Sequence, residues 1–254
     1  MPRCTGAVHE PAPTAAAIVL AGGSGTRVGA GRNKVYLPLA GRPVLAWSLE
    51  TFTGMAEFGP VVLVVRADDR DLAAEVLDGG LRPAGVEIVT GGATRQESEL
   101  AGLRRLAGRI TAGAVDTVLI HDGARPFAGR GLVAEVLRAA RDCGGAVPGL
   151  PRDDLAAAGP DGAGLGGPAP DGLVAVQTPQ GFRAAPLLAA YEEAAARGFA
   201  GTDTASCMAR FAPDVPVRWV PADGRNFKIT YAHDLRVAEA VVTRSAASPA
   251  PEPS

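Results

Sequence analysis

Residues 16–34 read AAIVLAGGSGTRVGAGRNK. The first five are apolar, with β-branched Ile18 and Val19, and this predicts a buried strand. Gly22, Gly23 and Gly25 follow at once, and without a Cβ their backbone amides can approach a ligand closely, which is the chemistry of a phosphate cradle. The two common nucleotide motifs do not fit. A GxGxxG counted from Gly23 meets Val28 where its third glycine belongs, and no Gly-Lys-Ser/Thr exists for a P-loop. What remains is a long loop with two cations seven residues apart, Arg27 and Lys34, suited to wrapping a triphosphate: arginine as a planar fork on oxygens, lysine as a compact charge.

Outward from this stretch, short β-branched runs alternate with helical patterns. Strands are expected at 61–65 (VVLVV), 86–89 (VEIV), 116–121 (DTVLIH), 145–150 (GAVPGL) and 216–220 (PVRWV). One helix opens near Pro43, and another at TRQE, where Thr94 and Glu97 have capping-box spacing ahead of Leu100, Leu103 and Leu106. The alternation implies an α/β fold, a mostly parallel sheet covered on both faces, whose ligands gather at the carboxyl ends of its strands. Residues 1–14 and 244–254 read as Pro- and Ala-rich tails around a body of 15–243. The Gly- and Pro-rich stretch 151–178 departs from the rhythm, either as an arm or hairpin that reaches another subunit or as a surface loop.

Composition narrows the function classes. A net charge of −2 offers no broad basic field, so neither nucleic acid nor a membrane surface is expected as partner, and phosphate chemistry must be local. Cys4, Cys143 and Cys207 are distant and odd in number, which fits a reducing cytoplasm better than a disulfide framework or zinc site. His9, His121 and His233 are isolated in sequence, so none is expected to bind metal, and His121 is expected in the core. No apolar run approaches the roughly 18 residues of a membrane span, and the start MPRCTGAVHEPAPT lacks the apolar segment of a signal peptide. Of 25 basic residues only Lys34 and Lys228 are lysine. Where nearly every cation has become arginine, a retained lysine marks a place for a compact charge.

Taken in order, the loop with KVYLPLAGRPVLAWSLE, GGATRQESELAGL, HDGARPF, AVQTPQGF, GTDTAS and NFKIT resembles the 2-C-methyl-D-erythritol 4-phosphate cytidylyltransferases of the non-mevalonate isoprenoid pathway. The ribitol-5-phosphate cytidylyltransferases share nearly all of these motifs. The resemblance implies a three-layer, Rossmann-like nucleotidyltransferase sheet with a protruding arm, a homodimer, and attack of a polyol phosphate on the α-phosphorus of CTP with Mg2+ as cofactor. By the same resemblance, Arg27 and Lys34 stabilise charge on the reacting phosphates, and Lys228 positions the acceptor phosphate. Asp122 sits by the metal. Ala21, Gly22, Gly23, Gly92, Ser98 and Gly123 bind the nucleotide, and Asp203 lies near the polyol. Arg125 is expected to brace its loop.

Three positions depart from the family pattern. Asp154 stands where a Thr is expected and Pro170 near an expected Arg, both anchors for the acceptor phosphate, with Arg152 as a possible substitute; Asn33 replaces the usual Pro before the loop lysine. A nucleotide-binding module without transfer activity and an ordinary dinucleotide enzyme are the rival readings. The second is disfavoured by the missing third glycine.

Overall fold

The computed structural model of the chain describes residues 14–23, 33–79, 85–158, 164–168 and 170–247. Elements are numbered in chain order. The first part holds β1 (Thr14–Leu20), the short hairpin strands β2 (Pro38–Leu39) and β3 (Arg42–Pro43), α1 (Val44–Thr53), β4 (Phe58–Val65), α2 (Arg70–Asp78) and β5 (Val86–Thr90). Next come α3 (Arg95–Thr111), β6 (Val115–Asp122), α4 (Gly129–Cys143) and β7 (Gly145–Pro151). The remainder comprises β8 (Ala156–Ala158), β9 (Leu165–Pro168), β10 (Val174–Val176), β11 (Gln180–Arg183), α5 (Ala184–Ala196), α6 (Thr204–Phe211), β12 (Val217–Pro221) and α7 (Ala232–Ala247).

Eight strands form one sheet in the order β10, β7, β11, β6, β1, β4, β5, with β12 also against β7. Pairings of β1 with β4 and β6, β4 with β5, and β12 with β7 are parallel. The apolar runs are continuous rather than alternating because both faces are covered, and Ala15 to Val19 are fully buried. Leu45, Leu49 and Phe52 of α1 and Val133 and Val136 of α4 pack on one face, while Leu103 and Leu106 of α3, Leu187 and Tyr191 of α5 and Met208 of α6 fill the other. Each fully buried large side chain contributes about 2 kcal/mol of transfer free energy. Helix α3 lies unusually close to the sheet: a Cβ on Gly102 would stand 2.8 Å from Ile18 Cγ2.

The chain leaves β1 for β4 on one side and later returns to β6 on the other, so the carboxyl ends of β1 and β6 diverge into a crevice. Leu20 and Asp122 are register partners at its lip. Helix α3 begins at the same edge, and its Thr94–Glu97 capping box forms as the spacing predicts.

Two features differ from the sequence reading. The tract before QTPQ forms β10, and beyond a cis Thr178–Pro179 bond a further strand, β11, inserts antiparallel between β6 and β7. Gly181 hid this strand: it lowers β propensity, yet a Cβ there would meet Leu119, Val136 and Ala140 within 3.2 Å, so packing demands it. Helix α7 also runs to Ala247, past the boundary at 243 read from composition, because Ala and Arg favour helix. Within 151–178, β8 and β9 pair antiparallel as a separate two-stranded sheet, the hairpin form of the excursion. Among the described residues no helix is long and apolar enough to cross a membrane.

Candidate active site

Two lysines 194 residues apart in sequence reach one crevice. A cavity of about 260 Å3 at the carboxyl ends of β1 and β6 is lined by Gly22, Gly23, Lys34, Gly92, Arg95, Ser98, Asp122 and Lys228, among others. Lys34 arrives on a 3-10 turn, Lys34–Tyr36, whose N-cap is Asn33. Lys228 is delivered by its neighbours. Ile229 is fully buried with Leu39, Val44 and Ala238, and Asn226 donates to Gln177 Oε1 (2.7 Å) and the Thr178 carbonyl (2.9 Å). The tract NFKIT is therefore mostly anchorage for a single ammonium. Ser98 faces the cavity from the first turn of α3 and donates its hydroxyl to the Thr94 carbonyl at 2.9 Å.

Asp122 is the hub. Its Oδ1 accepts from Arg95 Nη1 at 2.5 Å, its Oδ2 lies 2.9 Å from Lys228 Nζ, and Arg125 Nε stands 3.7 Å away. Burial by itself would raise its pKa, but the charges of Arg95, Lys228 and Arg125 outweigh it and hold the carboxyl well below the usual carboxylate range. It is ionised at any working pH. Arg125 also donates to the Asn226 carbonyl (2.7 Å), the loop-bracing role expected of it.

Arg95 carries no sequence signal that separates it from the other arginines, yet it spans two carboxylates. Its Nε donates to Glu99 Oε1 at 2.9 Å, one helical turn on. Glu99 is 1% exposed and also accepts from Tyr191 Oη (2.6 Å) and Thr204 Oγ1 (3.2 Å). Burial dominates there and raises the Glu99 pKa against the pull of Arg95 and the two hydroxyls. Burial would lower the Arg95 pKa, but Asp122 and Glu99 together raise it further. The guanidinium stays charged and cannot swing freely. A second, smaller chamber of about 240 Å3 shares Arg95, Asp122 and Lys228 with the first and adds Arg125, Gln177, Gln180, Thr202 and Asp203. Asp203 N-caps α6 through Ser206 N (2.9 Å) and accepts from Gln180 Nε2 (2.9 Å). The Lys228–Asp122–Arg95 bridge lines both chambers.

His121 is core, as expected. Burial lowers its pKa to about 4, so the ring is neutral, and its neighbours set the tautomer. Nε2 faces the Arg125 carbonyl at 3.1 Å and must carry the proton, which leaves Nδ1 to accept from Thr178 Oγ1 at 3.2 Å. Thr178 Oγ1 in turn accepts from the Asp122 N–H at 3.0 Å. This chain of hydrogen bonds holds the Asp122 backbone.

Some expected binding residues stand elsewhere. Gly123 is not in either chamber: its N–H is donated to the Leu20 carbonyl (2.9 Å), and a Cβ would stand 3.0 Å from that oxygen and from Leu45 Cδ1, so it is a packing glycine. Ala21 lies behind the lining at 1% exposed, with its N–H donated to the Val64 carbonyl and its own carbonyl accepting from Asn33. Arg27 lies outside the described residues. On the arm, Arg152 holds Asp154 through both carboxylate oxygens, at 2.5 and 2.7 Å, so it neutralises that residue instead of standing as a spare cation; Pro170 is exposed. A larger groove of about 980 Å3, lined by Trp47, Phe127, Arg130 and Arg225, contains none of the converging residues.

Comparisons with known proteins agree with this geometry. The family profile of IspD, 2-C-methyl-D-erythritol 4-phosphate cytidylyltransferase, matches residues 15–244. The protein of that name from Geobacter metallireducens is 39% identical over 89% of this chain and 96% of its own, and that from Cereibacter sphaeroides is 40% identical over 92% and 99%. A bifunctional IspD/IspF enzyme of Clavibacter michiganensis is 45% identical over 92% of this chain, which spans 56% of that longer protein. Among solved structures, 4-diphosphocytidyl-2C-methyl-D-erythritol synthase from Anaerococcus prevotii superposes with a TM-score of 0.79 at 30% identity, covering 91% of this chain and 97% of the other. The fold, the ordered motifs and these matches agree that the chain belongs to the 2-C-methyl-D-erythritol 4-phosphate cytidylyltransferase family.

Proposed function

We propose that the chain joins CTP to 2-C-methyl-D-erythritol 4-phosphate, giving CDP-methylerythritol and pyrophosphate. The observation that carries this reading is the convergence of Lys34, Lys228, Arg95 and Asp122 on one crevice beside Gly92 and Ser98. An oxygen of the acceptor phosphate forms a bond to the α-phosphorus, and the bond from that phosphorus to the β-bridging oxygen breaks, the electron pair leaving with pyrophosphate. Such a reaction asks the protein for positioning and charge, with no covalent nucleophile. Gly22, Gly23, Gly92 and Ser98 hold the nucleoside. Lys34, with Arg27 from its loop, neutralises charge on the α-phosphate and the leaving group. Lys228 and Arg125 face the smaller chamber, where Gln177, Gln180 and Asp203 suit a polyol.

Asp122 fits a metal in one respect. It is a single ionised carboxylate at the join of the two chambers, and among the described residues no cluster of three His, Cys, Asp or Glu side chains stands ready to hold a cation. Asp122 would be the protein carboxylate that holds a Mg2+ there, and the ion would supply neutralisation of phosphate charge.

A homodimer suits the apolar far edge of the sheet, where Leu173, Val176, Val217 and Trp219 are exposed. Free thiols at Cys143 and Cys207 suit a reducing cytoplasm. The departures at Asp154 and Pro170 make the acceptor the point to test. Pyrophosphate release from CTP and Mg2+ is measured with methylerythritol 4-phosphate and, separately, ribitol 5-phosphate. The first is expected to be turned over far faster. Preference for ribitol 5-phosphate reassigns the acceptor, and no release with either overturns the reading.

A further inference from the structure

Asn33 is 3% exposed, and its side chain reaches three separate elements. Nδ2 donates to the Ala21 carbonyl just past β1 at 2.6 Å and to Asp69 Oδ2 in the turn after β4 at 3.0 Å. Oδ1 accepts from Val35 N at 3.4 Å, which is ordinary capping of the turn that carries Lys34. Capping accounts for the oxygen only. Both amide hydrogens point outside the turn, and two acceptors on that side settle which way the amide faces. A shorter hydroxyl could not span both, and a carboxylate would confront two oxygens.

We infer that Asn33 is a positioning residue: its amide ties the turn bearing Lys34 to the ends of β1 and β4, and so sets where the ammonium stands in the crevice. This rests on the proposed transfer from CTP. A lysine acting on a reacting phosphate gains its effect from placement, and a displacement of about 1 Å can cost about 100-fold in rate. Proline at the same position would fix the backbone, since φ of Asn33 is −62°, but it would supply neither donor.

The test is a double-mutant cycle on kcat for pyrophosphate release at saturating CTP and acceptor. Asn33→Ala should lower kcat roughly 10- to 100-fold with a smaller change in KM for CTP, and should cost less than about twofold in a Lys34→Ala background. Asn33→Asp should be worse than Asn33→Ala, and pairing it with Asp69→Asn should recover part of the loss, since the swapped pair can remake its bond. Equal factors in both Lys34 backgrounds, or Asn33→Ala turning over like the unaltered chain, overturns the inference. If Asn33→Ala does not fold, Asp69→Ala carries the same cycle from the opposite side of the bond. No turnover by the unaltered chain overturns the transfer reading instead, and the cycle is then read on CTP affinity by calorimetry.

Discussion

Two of the arginine–aspartate pairs share a closest approach of 2.5 Å in opposite surroundings, the buried one through a single bond and the exposed one through two. Arg95 meets Asp122 at 2.5 Å with the aspartate side chain 7% exposed, and Arg152 meets Asp154 at 2.5 Å with its partner 63% exposed. In water an ion pair of this kind is worth about 0–1 kcal/mol. In the crevice the contact belongs to a network: Arg95 links Asp122, which also faces Lys228 and Arg125, to Glu99, which accepts from Tyr191 and Thr204, and removing a charged member leaves a buried charge short of a partner. Distance alone therefore ranks neither pair. Burial and the number of further partners do.

That contrast can be broken most directly at Glu99. Glu99→Ala strips Arg95 Nε, Tyr191 and Thr204 of their common acceptor and should destabilise the fold by about 3–5 kcal/mol in urea unfolding. A loss below about 1 kcal/mol would put the crevice pair in the same class as the arm pair. Next in size, Lys34→Ala and Lys228→Ala should each lower kcat roughly 100- to 1,000-fold, about 3–4 kcal/mol of barrier, and Lys228→Ala should also lower the melting temperature because it takes a partner from buried Asp122. Steady-state pyrophosphate assays beside thermal melts check this.

The neutral His121 supplies a pH signature. Its pKa falls from 6.5 in the unfolded chain to about 4 in the fold. Between those values the unfolded state binds a proton that the folded state refuses, so stability drops as pH falls from about 6.5 to 4, by an amount on the order of 3 kcal/mol. His121→Gln should flatten that part of the profile. The smallest effect belongs to the arm. Asp154→Ala should shift stability by less than about 0.5 kcal/mol, while Asp154→Thr, which restores the expected anchor, should lower the acceptor KM with the CTP KM unchanged.

Much of this was legible in the chain itself, for identifiable reasons. Strands buried on both faces announce themselves as apolar runs, and the Thr94–Glu97 box is a local pattern that tertiary structure had no cause to overrule. Lys34 and Lys228 stood out because composition made lysine rare. Arg95 did not, for the converse reason: among so many arginines nothing local distinguishes one that bridges two carboxylates. Glu99 looked like any helical glutamate, since its burial depends on Tyr191 and Thr204 from α5 and α6. Gly123 and Ala21 sit inside motifs expected to bind nucleotide, yet their backbone groups are taken by Leu20, Val64 and Asn33, a fact only pairing reveals. Asp203 borders the smaller chamber and caps α6, positions that follow from its place in the fold rather than from GTDTAS alone.

The antiparallel insertion of β11 has a mechanical consequence. Among the described residues, β7, β10 and β12 join the rest of the sheet in strand pairing solely through β11, where residues 180–183 pair with β6 and Gly181 and Phe182 pair with β7. A tract four residues long is the hinge pin of an entire wing, and that wing roots the arm. A proline at Gly181 or Phe182 would strip a rung from this narrow span, so a single change would unseat the three strands from which the arm projects.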